Sequence, residues 1–493
     1  MTIRKTDERL SLVVVNMASY ILRSLKPVAS NTLAKHARIT KRWRPTATAT
    51  YDQCVLNAPE TRITTLPNGL RVATEDCDSQ SCTVGFWVES GSRYETNSTN
   101  GVANMFEHLV YRGSKTRSQS LLVKEIEGMG AHLNSYIGRE HSAFYGKASS
   151  KDIEKVLDVI ADILQNPSLD SADIEAERAT IMREVNESDT DMQQVVLDYL
   201  HASAYQGTPL ARSISGPTEN IRSLGKEDIL DYVNANLKAP RIVLSASGGV
   251  DHDQLVRAAE KSVGSMKATY EGTEIPVLTP CRFTGSEIRH RDDSMPFAHV
   301  ALAIEGAGWD SPDHMPLLLA NMLVGNWDKT HCGDGAVSSK LAQAAFDGSL
   351  CEGFQSFYNS YSNTALWGCY FVAHKLSLED FIYNIQSEWM RLCTSVTDSE
   401  ADRAKAQLRT SMLLQTQGTT PKADEIGRQV LMHGRRIPFA EMDNMISQVT
   451  PAQIRDVCTK YMYDKCPAIA SLGPIEQVPD YNRLRAGMYW LRL

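Results

Sequence analysis

The chain has 493 residues, with 51 Lys and Arg against 59 Asp and Glu, 42% apolar and 22% charged. These ordinary globular values exclude a largely disordered, collagen-like or small disulfide-framework protein. The formal charge of −8 is uneven: residues 1–50 hold ten basic side chains against Asp7 and Glu8, and the rest of the chain holds 41 basic and 57 acidic. A body that acidic predicts no nucleic-acid partner, because phosphate backbones are held by basic stripes.

Residues 17–50 contain no Asp or Glu and are rich in Arg, Lys, Ser, Thr and Ala. That is the composition of a mitochondrial transit peptide, so 1–50 is predicted to be a targeting segment and disordered N-terminus outside the fold. The apolar run 10–15 is too short for a membrane span, and no later stretch reaches about 20 uninterrupted apolar residues. Ten cysteines are scattered without CxxC pairs. Most read as small buried hydrophobes in a reducing compartment, and the set has no haem-attachment or iron–sulfur pattern.

Residues 61–90 alternate as strands around an Asn68-Gly69 turn. In 101–110 (GVANMFEHLV), Val102, Met105, Phe106 and Leu109 recur at helical spacing and form one apolar face. Asn104, Glu107, His108 and Tyr111 fall on the other face. This is the geometry by which a helix presents two metal ligands four residues apart with a carboxylate between them. Residues 131–147 alternate like strands and 151–165 read helical. In 175–184 (EAERATIMRE), Glu177 and Glu184 stand seven apart, nearly two helical turns, and so share a face. The plain alternatives are a surface His beside a Glu, a solvated helix end for the acidic run 184–191, and strand core for the aromatic residues of 354–370.

The second half repeats the first. Segment 224–248, a helix, a break and an apolar strand ending in Gly, recurs at 449–473: Ile229 matches Ile454, Asp231 Asp456, Leu237 Met462 and Gly248 Gly473, at a constant offset of 225. The strand 84–91 resembles 299–306, with Glu89 matching Glu305 at an offset of 216. Repeats of roughly 220 residues are tandem homologous domains, far longer than the units of a solenoid. The predicted fold is α+β: domains 55–275 and 291–493, each a mostly antiparallel sheet with helices on one face, joined by a Thr-, Pro- and Gly-rich linker at 276–290.

These residues resemble the pitrilysin-like metallopeptidases, the family of the mitochondrial processing peptidases. The family's inverted zinc motif is H-x-x-E-H. It aligns with 104–108, and the family's third ligand, a glutamate farther along the chain, aligns with Glu184; a second acidic residue aligns with Glu177. Segments 66–71 (LPNGLR), 216–221 (GPTENI) and 479–482 (PDYN), with Asn134, Arg139 and Glu140, extend the resemblance over about 60–493. It implies the pitrilysin-like fold, Glu107 as general base, and His108 and Glu184 as zinc ligands. The first ligand position, however, holds Asn104. Catalytic zinc takes its three protein ligands from His, Cys and carboxylate, and a neutral amide is a poor substitute. Glu107, His108 and Glu184 therefore read as a remnant, with no peptidase activity and no cofactor expected, zinc entering only if the site works. His132 and His141 are not expected to rescue it, because catalytic ligands need fixed geometry.

Within the family, the stretch 325–335 has only three separated glycines, unlike the glycine-rich loop of α-type processing subunits. Segment 338–343 (SSKLAQ) resembles core-type and β-type chains instead, and 459–470, 473–477 and 481–491 resemble the core-type branch. That branch implies a non-catalytic scaffold on the matrix side of the mitochondrial cytochrome bc1 complex, beside a core 2-type subunit and beneath cytochrome b, cytochrome c1 and the Rieske protein. The alternative is a β-type processing peptidase subunit, a zinc endopeptidase. Residues 131–147 match the family strand that adds an extended peptide to its edge, which names a presequence as a further ligand.

Overall fold

The structure, a computed structural model, describes residues 58–269, 278–330 and 338–489. The targeting segment expected at 1–50 lies outside the described residues. Strands β1 (Arg62–Thr65), β2 (Arg71–Asp76), β3 (Ser81–Val88), β4 (His132–Ile137), β5 (Ser142–Ser149) and β6 (Ile242–Gly248) form one sheet, in the order β1-β2-β6-β3-β5-β4. Strands β7 (Glu287–Arg291), β8 (Ala298–Gly306), β9 (Asn326–Asp328), β10 (Gly353–Ser360), β11 (Ala365–Ala373) and β12 (Ala468–Gly473) form the other, in the order β7-β12-β8-β11-β10-β9. Each sheet is antiparallel except for one parallel pair, β2 with β6 and β7 with β12. This is the expected α+β architecture. β7 begins at Glu287, inside the stretch 276–290 expected to be linker, and residues 270–277 lie outside the described residues.

The internal repeat is visible in backbone chemistry. Gly248 and Gly473 end equivalent strands with φ of 123° and 108°, the left-handed region open to glycine. A Cβ on Gly248 would lie 2.3 Å from the Ser81 carbonyl oxygen, and one on Gly473 2.8 Å from that of Phe297. Ser81 and Phe297 are separated by the same offset as Glu89 and Glu305, so the two crowded strand ends are one design used twice.

Each half packs its own helices on one sheet face. In the first half, Val102–Val110, Ile153–Gln165 and His252–Val263 cover Val72, Val84, Phe86, Phe144 and Leu244. In the second half, His314–Val324, Leu378–Thr394 and Pro451–Tyr461 do the same over β8 and β11. The opposite faces are covered by exchange. Helix Met192–Ala204 of the first half lays Val196 and Leu200 on Ala301, Ala303, Ala468 and Ala470 of the second sheet. Helix Thr419–His433 of the second half lays Ala423, Ile426 and Val430 on Ala73, Trp87, Ala143 and Val243 of the first. β3, β6 and β12 are therefore buried on both sides and read as near-continuous apolar runs.

Gly427 marks how close the exchanged helix comes. A Cβ there would sit 2.3 Å from the ring of the fully buried Trp87, whose Nε1 donates to Asp424 Oδ1 at 2.8 Å. Alanine in a helix interior normally gains about 1 kcal/mol over glycine. Here Gly427→Ala is expected to lose about 1–3 kcal/mol, the cost of overpacking, as read from the urea midpoint of the purified chain.

Candidate functional site

The site is built on helix Val102–Val110. Its N-cap Gly101 has φ of 102°, and a Cβ there would meet the Ser215 carbonyl oxygen at 2.8 Å. The buried Glu95 carboxylate satisfies the helix start: Gly101 N and Ala103 N donate to it at 3.0 and 2.8 Å, and Asn100 Nδ2 at 2.7 Å. A negative group at this end also complements the helix dipole. Burial pushes the Glu95 carboxyl above the usual carboxylate range, against the pull of those donors and of Arg212. The predicted apolar face is buried at Val102, Met105, Phe106 and Leu109, leaving Asn104, Glu107 and His108 half-buried on the other side.

Helix Ser171–Ser188 packs against this polar face and brings the two predicted glutamates to His108. His108 Nε2 lies 3.2 Å from Glu184 Oε2, and Nδ1 lies 3.5 Å from Glu177 Oε2. The imidazole thus has a carboxylate at each edge. Glu177 is buried and also bonded to the Arg112 guanidinium. Glu107 turns toward β4, where Ser135 Oγ donates to its Oε1 at 2.7 Å. Burial raises the Glu107 carboxyl above its ordinary range and the Glu184 charge adds to this, while Ser135 and His108 oppose it. Burial likewise pushes the neighbouring Tyr111 phenol up to about 12.

Two members of this constellation escaped the sequence reading, Arg112 and Ser135. Arg112 carries a local signal, since it follows His108 by four positions in the turn just past the helix end. Ser135 carries none beyond its place in an alternating strand. Other residues quoted with the motif lie elsewhere. Arg139 binds Asp198 at 2.7 Å, and Glu140 is an ion-pair partner of Arg93. His132 is exposed and alternates with Ser135 onto the other face of β4. His141 stands edge-on to Tyr136 and is pushed down to about 4 by burial. Neither is brought to Glu107.

The residues present do not fit a catalytic zinc. Such a site takes three protein donors and keeps one position open. Here His108 Nε2 and Glu184 face one another as two donors. Glu177 sits at the opposite edge of the same ring, where a carboxylate orients a ligating histidine rather than joining it. The place of the third donor is held by the Asn104 amide. Among the described residues, no three or more His, Cys, Asp or Glu side chains are grouped so as to hold one ion.

Beside Glu107 runs β4, the outermost strand of its sheet. Its counterpart β10 is instead covered for three residues by β9. The two halves thus differ at the equivalent sheet edge.

The fold and site define a peptidase-like protein with an incomplete metal motif. Residues 71–218, which include every site residue above, match the model of insulinase (peptidase family M16), and residues 223–408 match the peptidase M16 inactive domain. The chain belongs to peptidase family M16. It is 52% identical over 445 residues to cytochrome b-c1 complex subunit 1, mitochondrial, of Mus musculus, covering 90% of this chain and 93% of that protein. It is 53% identical over 439 residues to mitochondrial-processing peptidase subunit beta of Bos taurus, covering 89% of each. A chain in the structure of complex III2 from Candida albicans with Inz-5 bound is similar with a TM-score of 0.79 at 27% identity, covering 87% of this chain and all of that one. No helix among the described residues is long and apolar enough to cross a membrane.

Proposed function

We propose that this chain is a core 1-type subunit of the mitochondrial ubiquinol–cytochrome c reductase complex (complex III), a peptidase-like scaffold without peptidase activity of its own. The observation that carries this reading is Asn104 at the first ligand position, one helical turn before a His108 already engaged by Glu184 and Glu177. Overall identity does not choose between the two kinds of relative, 52% against 53%, so the site must. A general base such as Glu107 acts on metal-bound water, and without a third donor it has little to act on. The reading places the chain peripherally on the matrix side of the inner membrane. There it would sit beside a core 2-type subunit and support cytochrome b, cytochrome c1 and the Rieske protein.

The second reading, a β-type processing peptidase subunit, is favoured by the retained Glu107–Ser135 contact and by the position of β4 at its sheet edge. The acidic body would attract a basic presequence to that edge. One experiment separates the two. The full chain is purified with whatever subunits accompany it, its zinc is measured, and cleavage of a basic presequence peptide is assayed. Co-purification with haem-bearing subunits, substoichiometric zinc and no turnover are expected. Stoichiometric zinc with turnover that disappears in Glu107→Gln overturns the scaffold reading.

A further inference from the structure

The chain segment leaving β2 gathers three side chains that the site above does not use. Lys422 Nζ donates to Cys77 Sγ at 3.3 Å, and the same ammonium lies 2.9 Å from Glu75 Oε1. Glu75 is buried and receives a hydrogen bond from Thr61 Oγ1 at 3.0 Å. Lys422 stands in the first turn of the exchanged helix Thr419–His433, 345 positions from Cys77, so this contact joins the two halves. Cys77 is half-buried, whereas Cys82, Cys281, Cys351, Cys369, Cys393 and Cys458 are buried. The thiolate is the nucleophilic and oxidisable form of a cysteine. Small oxidants reach accessible thiols first; Cys466 is exposed as well, so what sets Cys77 apart is the lysine amine at its sulfur.

We propose that Cys77 and Lys422 form an oxidant-sensitive latch, in which hydrogen peroxide oxidises the sulfur and the lysine amine captures it in a sulfur–nitrogen bond that ties the two halves together. In the first step the thiolate attacks one peroxide oxygen. The O–O bond breaks, the departing hydroxide takes a proton from the Lys422 ammonium to leave as water, and Cys77 becomes a sulfenic acid. In the second step the lone pair of the freed Lys422 amine attacks the sulfur, the S–O bond breaks, and the nitrogen's proton passes to the departing oxygen. The sulfenic oxygen then leaves as a second water. Overall one thiol, one amine and one peroxide give a sulfenamide and two waters. The sulfur loses two electrons, and the peroxide gains them. Sulfenic acids condense with backbone nitrogen to sulfenamides, the same bond that the lysine nitrogen would form here, and no other cysteine is placed against Cys77 among the described residues to compete by forming a disulfide.

The full-length chain is treated with hydrogen peroxide, digested and analysed by mass spectrometry, and its thermal midpoint is measured in parallel. The expected product is a joined pair of peptides containing Cys77 and Lys422, two hydrogens lighter than its parents and separated again by dithiothreitol. Closing so long a loop is expected to raise the thermal midpoint by about 5 °C, and reduction should reverse the rise. Lys422→Arg keeps the positive charge on Glu75 and on the sulfur but lacks the primary amine. It should be oxidised at Cys77 without forming the link or shifting the midpoint. Wild-type chain that ends as Cys77 sulfinic acid with Lys422 free overturns the proposal. So does a variant Lys422→Arg that yields the same products as the wild type.

Discussion

Asn104→His is expected to convert the remnant into a zinc site, with a gain in zinc affinity of roughly 100-fold or more over the unaltered chain. Losing a single orienting group outside the ligand set commonly costs about 10–100-fold, and a ligand more. The other parts are already in place. His108 Nε2 faces Glu184 at 3.2 Å, its Nδ1 edge is backed by Glu177 at 3.5 Å, and Glu107 is held by Ser135 at 2.7 Å. A new imidazole at 104 would project one helical turn before His108, on the same half-buried face. Arg112 opposes the gain, because its guanidinium on Glu177 brings positive charge near the ion. The measurement is zinc bound per chain in competition with a chelator of known affinity. An affinity unchanged from the parent would mean that the helices carrying His108 and Glu184 have drifted out of register as well.

Glu140→Ala is expected to cost about 3–5 kcal/mol, because it strands the buried Arg93 charge. Both side chains of this pair are almost fully enclosed, 1% and 3% exposed. The second half closes over them. Ser362 N and Oγ both donate to Glu140 at 2.9 Å, and Arg93 donates to Ser362 Oγ at 3.0 Å and Asn363 Oδ1 at 2.9 Å. Arg93 also donates to the Thr279 carbonyl at 2.8 Å. Most domains have only about 5–15 kcal/mol in total, so the loss is a large share. It should appear as a lower urea midpoint together with faster proteolysis between the halves. Glu140→Gln keeps one acceptor oxygen but replaces the other with an amide donor that faces donors of Arg93 or Ser362, and should fall between the variant and the parent. A loss below about 1 kcal/mol for Glu140→Ala would place the pair with solvent-exposed ion pairs.

Much of the site was legible in local pattern. The spacing of Val102, Met105, Phe106 and Leu109 named the buried face of the helix correctly. The seven-residue step from Glu177 to Glu184 placed both on one face, and the structure sets them on either side of His108. Glu140 and Arg139 were legible only as parts of a motif. Arg139 pairs with Asp198 of its own half, whereas the work of Glu140, closing one half on the other, depends on partners such as Ser362 that lie 222 positions away. No spacing rule reaches that far.

The same division holds for the whole chain. The duplicated design, the α+β class and the identity of the helix that carries the remnant follow from local pattern. Helical and strand periods, and the positive φ of the strand-end glycines, are properties of neighbours along the chain. Only the tertiary structure decided that each half lends one helix to cover the back of the other's sheet, at Met192–Ala204 and Thr419–His433. An amphipathic helix shows that it has a face to bury, and the choice of sheet is made by which surface is left bare when both halves have folded. That exchange buries β3, β6 and β12 on both sides, sets Gly427 against Trp87, and brings Lys422 to Cys77.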